Sequence, residues 1–145
     1  MFLLIHVECL NMTVKHTVID EGVVASVMSF SSWKGLGSPE LSHYAIMLTT
    51  FDGRSFWLHG ILPSLQIQLG GKTVAIEVKV VGAPLDYNIL LGRNWMYIMQ
   101  VVASSLFQVI CFPFNGKIVM IDQTSFRNPN VNASSGTSIL IIDQS

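Results

Sequence analysis

Three dipeptides that tolerate left-handed backbone, Asp52-Gly53, Gly70-Gly71 and Asn115-Gly116, each stand between runs of β-branched and apolar residues. Two-residue hairpin turns need positive φ, which Asn, Asp and Gly adopt at least cost, so this spacing predicts antiparallel hairpins. It pairs 44–51 with 54–59, 65–69 with 73–81, and 109–114 with 117–121. A further pair, 3–9 and 13–19, flanks Leu10-Asn11-Met12, so the chain enters through a hairpin whose second strand ends at Asp20. Residues 87–91 form an apolar strand running into Gly92-Arg93-Asn94. Helical spacing is confined to 25–36, stopped by Gly37-Ser38-Pro39, and to 93–99. The expectation is an all-β domain with one or two short helices.

A chain of 145 residues suffices for one hydrophobic core but not for two full lobes. Between 123 and 138 the composition shifts to Asn, Ser, Thr, Gly and Pro, too polar to hold a packed structure. This predicts a single domain over 1–122 and a polar linker or tail over 123–145. The apolar run Ile139-Leu140-Ile141-Ile142 either adds an edge strand or continues into a neighbouring part of a longer polyprotein.

Only 12% of the residues are charged, about half the roughly 25% of an average soluble chain, and the net charge is -1. Such a surface has no basic field for phosphate backbones, which argues against a nucleic-acid partner. The sparse charge points instead to a buried partner surface. No apolar run reaches the ~18 residues of a membrane span, and Met1-Phe2-Leu3-Leu4-Ile5 lacks a basic flank and a small-residue cleavage site. The chain is therefore expected to be intracellular, in the cytoplasm, not secreted and not in a membrane. Cys9 and Cys111 lie far apart in apolar segments and are expected to be free, buried thiols.

Asp20 closes the apolar run Val18-Ile19 and is followed by Glu21 and Gly22. A strand followed by Asp-x-Gly is most often only a turn. Other chemistry has less support. His6 and Cys9 differ by an odd number and face opposite sides of one strand, and His43 and His59 have no ligand companions at metal spacing. No metal or cofactor is expected. Neither a phosphate-binding glycine loop nor a Gly-x-Ser-x-Gly nucleophile turn occurs.

Taken in order, several motifs resemble the retropepsin-like aspartic proteases of gypsy-type retrotransposons, most closely those of plant retroelements. The resemblance spans 3–122. Asp20-Glu21-Gly22 matches the family's Asp-Thr-Gly or Asp-Ser-Gly, and Val23 to Met28 matches the small and apolar stretch after it. Leu36-Gly37 follows, then a flap hairpin over 50–60, then Leu90-Leu91-Gly92-Arg93-Asn94 as the second signature. The resemblance implies a single-lobed, closed-barrel acid-protease fold and a homodimer in which Asp20 of each copy supplies one of two catalytic aspartates. Glu21 and Gly22 would shape the catalytic loop. Phe51, Asp52, Gly53, Phe56 and Trp57 would lie on the flap over an extended polypeptide substrate, although aromatic strand residues more often serve packing. Leu91, Gly92, Arg93 and Asn94 would be structural, Arg93 by bonding loop carbonyls, since the position of its acidic partner in viral relatives is Val24 here. Trp33 and Trp95 are expected in the core.

Glu21 departs from the family's Thr or Ser, whose hydroxyl bonds across the dimer axis. Two extra carboxylates beside a buried pair cost several kcal/mol unless protonated or paired. Two alternatives to an active protease follow: a catalytically inactive dimerisation or peptide-binding module of the same fold, and, setting the resemblance aside, a small β-barrel carrying an apolar ligand.

Overall fold

The computed structural model describes residues 3–42, 46–49, 55–82, 85–122 and 138–143. Its first strand, β1 (Leu3–Cys9), turns at Leu10-Asn11 and pairs antiparallel with β2 (Met12–Ile19), with Cys9 opposite Met12. Both turn residues have positive φ, 51° and 64°, so the hairpin takes the left-handed turn even with leucine in its first position. The connection is one residue shorter than the sequence implies, because Met12 already pairs.

β2 lies parallel to β7 (Ile89–Leu91), and β7 lies antiparallel to β3 (Ser26–Ser29). Beyond β3, β6 (Lys72–Val81) runs parallel to it and β5 (Ser55–Leu69) antiparallel to β6. Glu8 opposite Gln68 closes β5 onto β1, so six strands form a barrel. β4 (Ile46–Thr49) extends β5 outward as an antiparallel partner, Thr49 facing Ser55. This pair is the base of the expected flap. Phe51, Asp52 and Gly53 lie outside the described residues.

Two strand assignments differ from expectation. Residues 26–29, expected as part of a helix, form β3 instead, because Met28 and the β-branched Val27 fit between β6 and β7. The helix α1 is only Phe30–Gly35, started by Ser29, whose hydroxyl accepts from the Ser32 N–H at 3.1 Å. Second, the segments expected as separate strands at 54–59 and 65–69 are joined, from Ser55 on, in one continuous strand, β5, that accommodates Pro63 where its pairing with β6 shifts between Leu62 and Leu65.

α2 (Arg93–Met99) occupies its expected span and ends at Gln100, which adopts left-handed backbone at φ 62°. After it, β8 (Val102–Ser104), β9 (Val109–Phe114), β10 (Lys117–Asp122) and β11 (Ser138–Asp143) form a second sheet in the order β11-β10-β9-β8. Of the two readings of the last apolar run, the edge strand is found: β11 pairs along the whole of β10, from Lys117 opposite Asp143 to Asp122 opposite Ser138.

The barrel and the second sheet share one core. Leu3, Ile5, Ile67, Ile89 and Leu91 from the barrel join Ile110, Phe112, Val119 and Ile121 from the sheet in a single buried cluster. Burial of each such side chain contributes ~1.5–3 kcal/mol, so the sheet is integral to the fold. Gly70 marks the contact: a Cβ there would stand 2.9 Å from both Phe112 and Val119. Lys72 fastens it from the side, its Nζ donating to the carbonyls of Met99 at 2.8 Å and Pro113 at 3.1 Å. Trp95 is fully buried as expected, whereas Trp33 is half-buried, with Nε1 donating to the Pro39 carbonyl at 2.8 Å. Both cysteines are free thiols, Cys9 buried and Cys111 only half-buried.

Candidate active site

Asp20 follows the last residue of β2, at the mouth of the barrel. Strand alternation and the parallel pairing of Ile19 with Leu91 carry the chain to this point. The Asp20 N–H then donates to the Leu91 carbonyl at 3.1 Å, which ties the loop to the end of β7. The half-buried carboxylate accepts from the Gly22 N–H at 2.9 Å through Oδ1. A Cβ on Gly22 would sit 3.1 Å from that same oxygen, so glycine leaves the carboxylate its space as well as bonding it. The loop closes with the Val23 N–H donating to the Asp20 carbonyl at 3.3 Å. Glu21, between them, is exposed to solvent in the single chain.

The second motif lies against this loop. The N–H groups of Arg93 and Asn94 donate to the carbonyls of Val23 at 2.7 Å and Val24 at 3.0 Å. Arg93 thus bonds a loop carbonyl through its backbone. Gly92 is required by proximity: a Cβ there would stand 2.5 Å from the Ala25 carbonyl oxygen and 2.6 Å from that of Val23. Asn94 joins three segments. Its Oδ1 accepts from the Ser26 hydroxyl at 2.6 Å and from the Trp95 N–H at 2.9 Å, while Nδ2 donates to the Glu77 carbonyl at 3.0 Å.

Two residues of this arrangement had no signal in the sequence analysis. Ser26 is fully buried and accepts from the Gly92 N–H at 3.1 Å while donating to Asn94, so its hydroxyl links the two motifs across 66 and 68 positions of chain. An isolated serine after an apolar stretch carries no mark of such a role. Tyr87 is the second. Burial raises its pKa, and the charges of Asp20 and Asp86 push it the same way, so its phenol lies within the field of the Asp20 carboxylate. The Asp86-Tyr87-Asn88 segment reads only as a turn in sequence.

Trp57, expected on the flap, is half-exposed on β5, its Cβ 3.7 Å from where a Cβ on Gly82 would stand. Phe56 precedes it in the same strand, opposite Leu48. His59 of β5 stacks on Phe30 of α1 with ring centroids 4.1 Å apart, which ties the strand to the helix. His6 and Cys9 project to opposite faces of β1, Cys9 inward. Burial pushes the Cys9 thiol up to about 12, so it remains protonated and unreactive at neutral pH.

The arrangement presents one half-buried carboxylate, bonded by the Gly22 N–H, just past the end of β2. One such group binds or relays a proton. Splitting a peptide by acid and base together needs a second.

No protein-family model matches the chain, and no curated protein matches it in sequence. Its fold has solved counterparts. The retroviral protease-like domain of Ddi1 from Leishmania major matches with a TM-score of 0.64 at 14% identity, over 77% of this chain and 87% of that one. A retropepsin-like aspartic protease from Rickettsia conorii matches with a TM-score of 0.54 at 18% identity, over 71% and 76%. The chain therefore has the retropepsin-like fold, a closed six-stranded barrel with two short helices.

Proposed function

We propose that this chain is the aspartic endopeptidase domain of a gypsy-type retrotransposon polyprotein, working as a homodimer with one Asp20 from each copy. The observation that carries the reading is the Asp20 loop: a strand-end carboxylate bonded by the Gly22 N–H and clamped onto Leu91-Gly92-Arg93-Asn94, on a retropepsin-like barrel. Two-fold symmetry would bring equivalent carboxylates face to face on the axis. Held that close, the pair keeps one proton. The ionised carboxylate takes a proton from water as its oxygen attacks the peptide carbonyl, and the protonated one donates to the carbonyl oxygen. Protonation of the nitrogen then releases the amine as the C–N bond breaks. The substrate would be an extended polypeptide, lying as a strand between the dyad and the flap of β4 and β5.

Proteolysis should be bell-shaped in pH, because one carboxyl must be charged and the other neutral. Peptide cleavage across acidic pH should vanish in Asp20→Asn, and cleavage that survives the substitution would remove Asp20 from the mechanism.

A second reading has its own observation. Glu21 is exposed beside Asp20 in the single chain, so pairing two copies at Asp20 would bring both Glu21 carboxylates toward the axis and desolvate them. On that reading the chain is an inactive dimerisation or peptide-binding module. Glu21→Thr separates the two. A parent that cleaves nothing and a variant that cleaves make the parent a pseudoenzyme, while cleavage by the parent disposes of this reading.

A further inference from the structure

A cavity of about 390 Å³ opens between β2 and α1. It shares no residue with the Asp20-Glu21-Gly22 loop, with Leu91 to Asn94 or with Phe56 and Trp57. His16, the lining residue nearest to Asp20 along β2, precedes it by four positions, roughly 13 Å of extended strand. We infer that this cavity binds a small molecule with an apolar body and a single carboxylate head. Such a site uses neither Asp20 nor a second copy of the chain, and so stands apart from the proteolytic reading.

The floor sets the body of the ligand. Met28 is fully buried there, and Val14 and Leu36 are buried as well. Met12, half-exposed, continues the apolar lining to the rim. The two methionines are unbranched and polarizable, so they fit themselves to different occupants. Gly35 leaves the edge open, because a Cβ there would meet nothing within 4 Å. The volume falls at the small end of the roughly 300–1,000 Å³ of ligand pockets, which suits a short apolar chain or one ring.

Charge and a bulge set the head. No Asp or Glu is among the described residues that line the cavity, whereas Lys15 and His16 both are. Consecutive strand residues ordinarily face opposite sides of a sheet. Here β1 has His6 alone, between Ile5 opposite Thr17 and Val7 opposite Val14, where β2 has Lys15 and His16. His16 takes left-handed backbone at φ 52° within this bulge, and both exposed residues border the cavity. The Lys15 ammonium carries three N–H donors and the Ser31 hydroxyl another, enough for the two oxygens of one carboxylate. A doubly charged phosphate would meet only one permanent cation among the described lining residues.

The wall between floor and rim is held in place by Asn88. Its N–H donates to the His16 carbonyl at 2.9 Å and its Nδ2 to the Lys15 carbonyl at 2.7 Å, so one residue fastens both halves of the bulge. Its Oδ1 accepts from the Ser32 hydroxyl of α1 at 3.1 Å, and that hydroxyl accepts from Ser29 at 2.7 Å. The helix side and the strand side of the cavity are thereby bonded to each other through side chains. A ligand entering between them orders little that is not already ordered, which lowers the cost of binding.

The test is calorimetric titration of the full chain with octanoate, with 1-octanol as the body alone and acetate as the head alone. Octanoate should bind at one site, and each of the other two at least tenfold more weakly. Lys15→Met keeps the apolar stem and removes the charge, so it should weaken octanoate at least tenfold and leave octanol unchanged. In amide NMR spectra the shifts should fall on Ser32 and Asn88. Shifts confined to Leu106 and Phe107, which are 81% and 72% exposed, would mean that octanoate only coats apolar surface and would overturn the site. So would a parent that binds no octanoate, a parent that binds octanol as tightly, or a Lys15→Met protein that binds octanoate like the parent. Should Lys15→Met fail to fold, Ser31→Trp fills the rim from an exposed position on α1 and must abolish binding. Octanoate affinity that persists in Ser31→Trp would equally overturn the site.

Discussion

Gly92→Ala tests how closely the two motifs of the site pack. The added methyl would lie 2.5 Å and 2.6 Å from the carbonyl oxygens of Ala25 and Val23, both backbone atoms that cannot swing aside like a side chain. To reach ordinary contact the loop must retreat by nearly an ångström. That retreat breaks the bond from the Arg93 N–H to Val23, now 2.7 Å, and strains the one from Asn94 to Val24, now 3.0 Å. At roughly 0.5–1.5 kcal/mol for each bond and about 1–3 kcal/mol for overpacking, the variant should lose about 2–6 kcal/mol. For a domain of this size ~1 kcal/mol moves the melting temperature by roughly 2–4 °C, so a fall of about 10 °C is expected. Thermal unfolding followed by circular dichroism reads it directly. Gly35→Ala is the matched control, since nothing lies within 4 Å of its added methyl and it sits in the last turn of α1. That change should be neutral or stabilise by a few tenths of a kcal/mol, roughly what helix propensity gives at a helix end. A Gly92→Ala protein that melts with the wild type would show that the loop does not rest on the second motif.

Ser26→Ala leaves the Gly92 N–H without its side-chain partner in a buried place and should cost ~1–3 kcal/mol in urea unfolding; an unchanged midpoint would mean the serine links nothing. Cys9 titrates at about 12 in the folded chain against an ordinary 9.0, so the folded state holds its proton longer than the unfolded one. The stability this provides is complete below pH 9 and is lost as pH rises from 9.0 toward about 12. Cys9→Ala should flatten the fall of the urea midpoint over that window, and an identical slope in both proteins would contradict the burial of the thiol.

The elements legible in sequence are those made by neighbouring residues. The hairpins at Gly70-Gly71 and Asn115-Gly116, and the α2 span, follow from turn chemistry and spacing within a few residues. β3 was not legible, because Ser26–Ser29 has apolar spacing compatible with a short helix and becomes a strand only between β6 and β7. The parallel contact of β2 with β7 joins residues about 70 positions apart, beyond the reach of any local pattern. The segments 54–59 and 65–69 read locally as separate strands, and only the shift in pairing with β6 lets the single strand β5 run through Pro63.

The sequence by itself determined that the chain is strand-rich, where its tight turns fall and that Asp20 ends a strand, since alternation and turn chemistry are local properties of a pleated backbone. Tertiary structure alone decided what surrounds Asp20. The seating of Gly92 under the Val23 and Ala25 carbonyls, the buried Ser26 hydroxyl between the motifs and the field of Asp20 at Tyr87 all arise from closing the barrel. Closure brings together segments that no spacing rule connects, because contacts across the barrel depend on the order of strands around it and not on their order along the chain.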